Sequence, residues 1–475
     1  MDYEAVIGLE IHAQLNCCTK MFCDCANRPG DEPNQNTCPI CLWLPGAIPQ
    51  FSQKALEKAT LTCLAFNCDV QAYSAFDQKV YYYPDLPKGF QLSQFHRPLA
   101  KNGWLDITGE AGLAKRLRIQ KIHMEEDVAR LGHETEGRRP ISLVDFNRAG
   151  IPLVEIVTEP DMRSPNDAME FLRALRTQIR YAGTSECSME QGSMRVDANI
   201  SIRPRGSDQL HTKVEVKNMN SIRHVGDAIA YEIKRQAGCF KAGEAIVLHT
   251  RLWDPEKGVT ALMRGKFEGP CVPDPSVPQI VITDEWLNEI QRSLPEMPNQ
   301  KVERFVKQYG LSHEEAALMS SDRDLSEYFE AVVTQGTLPR TVTHWIATQL
   351  LPALKERNQS LVDTPVAPER FASLLGMLER DEVNANAAKE VLVKLFDTDQ
   401  TPKAIVEACG LKQVSDTGEL EVLVDQVLSD NPSAVENFRN GASKAIGFLI
   451  GQAMQVSQGK ANPKLIREIL LSRLN

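Results

Sequence analysis

The chain has 475 residues, longer than a single core usually supports, so two to four domains are expected. Its 42% hydrophobic and 24% charged residues are those of a globular protein, and no apolar run approaches the roughly 20 residues that a membrane span needs. A net charge of −10 argues against nucleic-acid binding by the whole surface but leaves room for a local basic patch.

Met1-Asp2-Tyr3-Glu4 begins acidic with no charged-then-apolar signal region, which points to a cytoplasmic protein. The first element is a strand. Ile7, Leu9, Ile11, Ala13 and Leu15 alternate with Glu10, His12 and Gln14, so one face can feed a core while the other offers ligands. A carboxylate and an imidazole two residues apart stand about 7 Å apart along a strand, close enough to share an ion. The same pattern also suits a half-buried strand whose polar face meets water.

Cys23-Asp24-Cys25 and Cys38-Pro39-Ile40-Cys41 follow, with twelve residues between the pairs. Two close pairs of thiolates can wrap a tetrahedral ion, for which zinc is the favoured guest, and the Pro- and Gly-bearing segment between them reads as a loop held down by it. The other eight cysteines lack such pairing and read as small core residues. Next, Asp77 to Gln91 combines an aromatic cluster with rigid prolines, Lys79 and Lys88, a loop able to pair cations for phosphate with aromatic surface.

Acids recur in strand-like runs. His123 and Glu125 share a face, and Glu155 sits alone within Leu153–Val157, where a buried carboxylate is costly unless paired or bound to a cation. With Glu10 and His12 these groups could assemble a hard-cation site of the kind magnesium uses when it carries nucleotide phosphates. Neither G-x-x-x-x-G-K-[ST] nor G-x-G-x-x-G is present, so a nucleotide would need some other cradle.

One helix interrupts the strands. Ser164 is its N-cap, Pro165 its first turn, Ala168, Phe171, Leu172, Leu175 and Ile179 its inward face, and Gly183 its end, with Arg173, Arg176 and Arg180 outward. A hairpin follows, from Val196–Arg203 through a turn at 204–208 to Lys213–Lys217, with charge of both signs on its polar face. After Leu294 the text turns helical. A second change near Gly410 sets off a small C-terminal domain, in which Gly447 and Gly451 lie one turn apart and invite close approach of a neighbouring backbone. From Ser443 onward, Lys444, Lys460, Lys464, Arg467 and Arg473 stand against Glu468 alone, a local charge of +4 that hints at a phosphate-bearing partner. The fold class expected is therefore α+β, with a β-rich domain over 1–294, a helical domain over 295–409 and a small helical tail domain over 410–475.

Taken in order, these motifs resemble a known family over essentially the whole chain: the B subunits of the tRNA-dependent amidotransferases, which convert Glu-tRNA(Gln) or Asp-tRNA(Asn) to the amide. The likeness rests on Ile7–His12, on the cysteine quartet running into Leu44-Pro45-Gly46, on Tyr83–Gly89 and His123–Asp127, and on Asp145–Gly150 with Glu155–Met162. It continues through Arg195–Asn199, Glu215–Ser221, Ile450–Met454 and Gly459–Pro463.

The resemblance implies a cradle domain with a magnesium and ATP site, a helical domain, and a tail that contacts tRNA. It implies that the amino acid's side-chain carboxylate is phosphorylated by ATP and then amidated by ammonia. The ammonia is expected from an amidase (glutaminase) subunit, with a small third subunit completing a heterotrimer. By position in the matching motifs, Glu10, His12, Glu125 and Glu155 are the expected magnesium-site and catalytic residues. Lys79, Lys88, Arg148 and Arg195 are expected to clamp phosphate or carboxylate, and Cys23, Cys25, Cys38 and Cys41 to hold structural zinc. The chain departs from the family pattern at Phe267–Pro275, where aromatic residues are missing, and at Gln191, where a second acid is expected. A zinc-stabilised tRNA-binding scaffold without catalysis is the alternative reading, to which the divergent segment lends weight.

Overall fold

The computed structural model describes residues 3–109, 112, 114–137, 139–263, 269–413, 417–439, 445–457 and 461–474. Of the positions singled out above, Met1, Asp2, Phe267, Glu268, Ser443, Lys444, Gly459 and Lys460 lie outside the described residues. The chain divides into two compact units, Met1–Pro298 and Asn299–Asn475.

In the first unit the strands are, in chain order, β1 (Tyr3–Gln14), β2 (Asp69–Val70), β3 (Tyr73–Val80), β4 (Phe90–Arg97), β5 (Ala100–Thr108), β6 (Ala114–Glu126), β7 (Arg130–Glu136), β8 (Arg139–Asp145), β9 (Pro152–Thr158), β10 (Met194–Pro204), β11 (Val214–Lys217), β12 (Thr250–Asp254), β13 (Val259–Leu262), β14 (Cys271–Pro273) and β15 (Ile280–Val281). All except β7 and β8, which form a separate ribbon, belong to one 13-stranded sheet with the path β13-β12-β11-β10-β1-β9-β6-β4-β3-β14. The opening strand therefore lies deep inside the sheet, antiparallel to β10 on one side and to β9 on the other.

Alternation sorts the two faces. Ile7, Leu9, Ile11 and Ala13 are buried in one core with residues of three helices: α1 (Gln53–Ala65), α2 (Pro165–Ala182) and α3 (Ile222–Ala242). Helix α2 forms as its sequence dictates. Ser164 accepts a hydrogen bond from the Asp167 backbone, Gly183 closes the helix at φ 68°, and Ala168, Phe171, Leu172, Leu175 and Ile179 point inward. Each large apolar side chain buried this way contributes about 1.5–3 kcal/mol, and the cap about 1 kcal/mol. Helices α2 and α3 meet where Gly226 leaves room for Met169, whose sulfur would lie 2.6 Å from a Cβ at that position. With the helices on the apolar face, Glu10, His12 and Gln14 are left on the other.

The second unit is helical, in line with an α+β chain, and carries two hydrophobic clusters, one built around Phe305, Phe329, Phe371 and Leu392, the other around Leu420, Val424, Leu449 and Leu470. Gly447 and Gly451 are exposed on the helix Ala445–Val456, and no described atom from outside that helix lies within 4 Å of where their Cβ atoms would be. The close approach that their spacing invites is absent among the described residues. No helix of the described residues is long and apolar enough to cross a membrane.

Candidate metal centre on the polar face of the sheet

The register of the sheet lays the polar face out as rows. His12 is paired on one side with Glu155 and on the other with Arg195, and Glu155 is paired in turn with His123. Glu125 lies one step along, opposite Ser93. Each residue owes its place to strand alternation combined with cross-strand pairing, which brings directly opposed side chains within about 5.5 Å.

Side-chain contacts tighten this row into a cluster. His12 Nε2 is 3.0 Å from Glu125 Oε1 and 3.5 Å from Glu155 Oε2, and His123 Nε2 is 3.0 Å from the same Glu155 oxygen. Burial works against a charged imidazole, but hydrogen bonds to Glu125 and Glu155 and their charges outweigh it and hold His12 well above the usual histidine range. Burial likewise opposes ionisation of Glu155, yet His123 and His12 keep it well below the usual carboxylate range. Glu125 Oε2 and His123 Nδ1 are buried without a hydrogen-bond partner among the described residues. Buried polar atoms are rarely left so, and a carboxylate oxygen without a donor suits a cation. His12, Glu125 and Glu155 offer ligand atoms all within 4.8 Å of one another.

Glu10 falls in the neighbouring row, opposite Asp197 and Val157. It accepts a 2.8 Å hydrogen bond from Asn199 and groups with Asp197 and Glu215 rather than with His12. Lys217 bridges Asp197 (2.5 Å) and Glu215 (2.9 Å), so that acidic row already holds a cation. Burial and the nearby Glu155 charge raise Glu10 above the usual carboxylate range.

The four basic residues expected to clamp phosphate take different places. Arg195, 42% exposed, grips both oxygens of buried Asp127 at 2.6 and 2.7 Å, and Gln14 donates to the same carboxylate. Arg148 donates to the carbonyls of Val128 and Ala129 at 3.0 Å. The side chain of Lys88 is buried, ion-pairs with Glu126, and lies over the rings of Phe90, Trp43 and Phe22. Lys79 stands on β3 in register with Gln91 and Cys271.

The four cysteines converge with ligand atoms within 4.8 Å, a set able to hold a metal such as zinc. Their loop is pinned to the turn 145–150: Asn36 N donates to Asn147 Oδ1 (2.8 Å), Asn147 donates to the carbonyls of Glu32 and Asp31, and Met21 N donates to Gly150 O (2.8 Å). Cys41 is pulled down to about 5 by a hydrogen bond from Cys23, against burial and with help from the Cys38 backbone N–H and the Lys20 ammonium. Cys41 is thus the thiol of the quartet whose surroundings most favour ionisation.

Asp127, Asp197 and Glu215 were not singled out from sequence. Their signal was present, since Asp197 and Glu215 occupy the polar positions of the hairpin, but their partner Glu10 comes from a strand almost 200 positions away. Gln191 lies in an exposed turn, its backbone N–H bound to Ser188 Oγ at 3.2 Å.

A polar sheet face of carboxylates and imidazoles, backed by helices, is the build of a catalytic domain, and residues 5–288 match the family model described as the GatB/GatE catalytic domain. Residues 327–474 match the model described as the GatB domain. The chain is 66% identical, over its full length and 99% of the relative's, to an aspartyl/glutamyl-tRNA(Asn/Gln) amidotransferase B subunit of Syntrophus aciditrophicus. It is 45% identical to the corresponding B subunit of Persephonella marina over 99% of both chains, and 43% identical to that of Carboxydothermus hydrogenoformans over 100% of this chain and 99% of the other. The chain belongs to the family of aspartyl/glutamyl-tRNA(Asn/Gln) amidotransferase B subunits.

Proposed function

We propose that this chain is the kinase and transamidase component of a glutamine-dependent amidotransferase acting on misacylated Glu-tRNA(Gln), Asp-tRNA(Asn) or both. The observation that carries the reading is the His12, Glu125 and Glu155 cluster with its unpartnered Glu125 oxygen, in a chain of this family. A side-chain carboxylate is a poor electrophile. One of its oxygens attacks the terminal phosphorus of ATP and ADP leaves; ammonia then attacks the acyl carbon and inorganic phosphate departs with the C–O bond electrons. Magnesium held by His12, Glu125 and Glu155, with Glu10 beside them, would offset the charge of the two anions that must meet.

The protein's own groups do the positioning. Arg195, fixed at one end by Asp127 and next to His12, presents its remaining N–H groups to a phosphate or carboxylate. Lys79 is assigned to the phosphate chain, whereas Lys88 and Arg148 act by holding the surrounding loops, since their charges are engaged inside the fold. Zinc held by the cysteine quartet would fasten their loop against the turn 145–150, which joins β8 to β9.

Ammonia is supplied by an amidase subunit, with a small third subunit completing a cytoplasmic heterotrimer. The cradle, helical and tail domains over 1–294, 295–409 and 410–475 divide the work, with the tail contacting tRNA. The test is to combine the chain with its amidase partner, ATP, glutamine and misacylated tRNA. Phosphate release together with amidated aminoacyl-tRNA is expected. If tRNA binds but neither product forms, the chain is a scaffold and the enzyme reading falls.

A further inference from the structure

We propose that Asp77, His96 and Cys271 form a second, zinc-type metal site, separate from both the cysteine quartet and the His12 cluster. The three residues come from three strands, β3, β4 and β14, and their ligand atoms lie within 4.8 Å of one another. Chain distance hides the set: no short spacing links residues 77, 96 and 271, and the cysteine falls in the stretch where the sequence leaves the family pattern.

A bulge builds the site. Between the pairs Ala75↔Arg97 and Asp77↔Ser93 the register shifts, so that residues 94–96 of β4 oppose a single residue of β3. Extra residues of this kind re-aim side chains, and here the shift turns the His96 ring back onto Asp77. The two Asp77 oxygens have separate tasks. Oδ2 accepts from the His96 backbone N–H at 2.9 Å and fixes the bulge, while Oδ1 faces His96 Nδ1 at 3.0 Å. Two ligands on one tetrahedral zinc lie about 3.3 Å apart, given bonds near 2.0–2.1 Å, so this pair needs little adjustment to share an ion. Cys271 completes the set from β14, which pairs with β3 in the register Cys271↔Lys79 and Pro273↔Asp77.

The donor chemistry selects the class of ion. A thiolate and an imidazole favour zinc-like cations over magnesium, whose preference is for oxygen. Asp77 is buried and anchored, whereas the His96 side chain is 53% exposed, so its Nε2–H can stay hydrated while Nδ1 gives its lone pair to the metal. Three protein ligands leave a fourth position of the tetrahedron for water. Bound there, the ion would tie the short strand β14 and the bulge of β4 to β3 at the edge of the sheet, beside Lys79.

The experiment is a Co2+ titration of the full-length chain, reduced, stripped of transition metals and kept in excess Mg2+, read by thiolate-to-cobalt absorbance and by bound metal per chain. Cys271→Ser and His96→Asn are each expected to lose one equivalent relative to the unaltered chain while keeping the absorbance of the cysteine quartet. Retention of the full count in either variant overturns the three-residue site. Circular dichroism checks folding, and if Cys271→Ser fails to fold, His96→Asn decides alone, since its exposed side chain can be exchanged without opening the core.

Discussion

His12 and Glu155 face each other across β1 and β9, Nε2 to Oε2 at 3.5 Å, and the same carboxylate oxygen is reached by His123 at 3.0 Å from the far side. Glu155 is thus the hinge of the row: one acid shared by two imidazoles, with Glu125 closing on His12. Ligands must shed their protons to bind a metal, so a cation entering here takes the place of the positive charge that Glu125 and Glu155 favour on His12.

The first prediction separates Glu155 from Glu10. Glu155→Gln should weaken Mn2+, used in place of magnesium, by more than about 100-fold. Glu10→Gln should weaken it by only about 10-fold, the size of effect expected of an outer group, because the Glu10 carboxylate is turned towards Asn199 and Asp197. Electron paramagnetic resonance titration of free Mn2+ measures both. Equal losses would put Glu10 among the direct ligands. In either variant tRNA affinity should stay near that of the unaltered chain.

A second prediction concerns Lys88, whose ammonium is buried against Glu126 and over three aromatic rings. Lys88→Met leaves Glu126 buried and unpaired and should cost about 3–5 kcal/mol in urea-unfolding stability. Adding Glu126→Gln should recover part of that loss, and the KM for ATP should not change. A lysine that bound phosphate would behave in the opposite way, with stability kept and KM raised.

Zinc retention gives the third prediction. Lys20 is fully buried, donates to Phe146 O at 3.0 Å and lies 3.6 Å from Cys41 Sγ, so its charge offsets the anionic quartet and its stem joins that loop to the turn 145–150. Replacing it with methionine keeps the volume and removes the charge. Competition with a zinc chelator should show a loss of affinity of about 10–100-fold, as for other groups that support metal ligands. Unchanged affinity would mean that Lys20 serves packing alone.

What could be read from the chain beforehand divides along a physical line. The alternation from Ile7 to Leu15, the capped helix after Ser164 and the hairpin at 196–217 are set by neighbours in sequence; the first falls in β1, which runs from Tyr3 to Gln14, and the other two are found where their patterns put them. The cysteine quartet lies close in sequence, and its thiols do converge. Which acid meets which imidazole depends instead on strand order, and β1 is flanked by β9 and β10, neither of which is next to it in the chain. For that reason Glu10 could not be assigned to Asp197 and Glu215 in advance. Charge pairing was equally hidden: Lys88 and Arg195 look alike in sequence, yet one ends among aromatic rings and the other reaches solvent.

The last prediction uses the basic tail. On the helix Pro463–Leu474, Ile466 and Leu470 face the core while Arg467 is exposed; Arg473 is drawn to Asp425 (3.2 Å) and Glu421 (3.3 Å). A cation that contacts RNA phosphate releases counterions, and removing it flattens the dependence of log K on log salt by about 1. Arg467→Ala should therefore lower tRNA affinity and reduce that slope by about one contact. Arg473→Ala should change the slope less, because its charge is partly neutralised within the domain before any RNA arrives. Filter binding of tRNA across a salt series measures both slopes. A larger change for Arg473 would mean that it abandons Asp425 and Glu421 for the phosphate, and equal slopes in all three proteins would remove this helix from the RNA-binding surface.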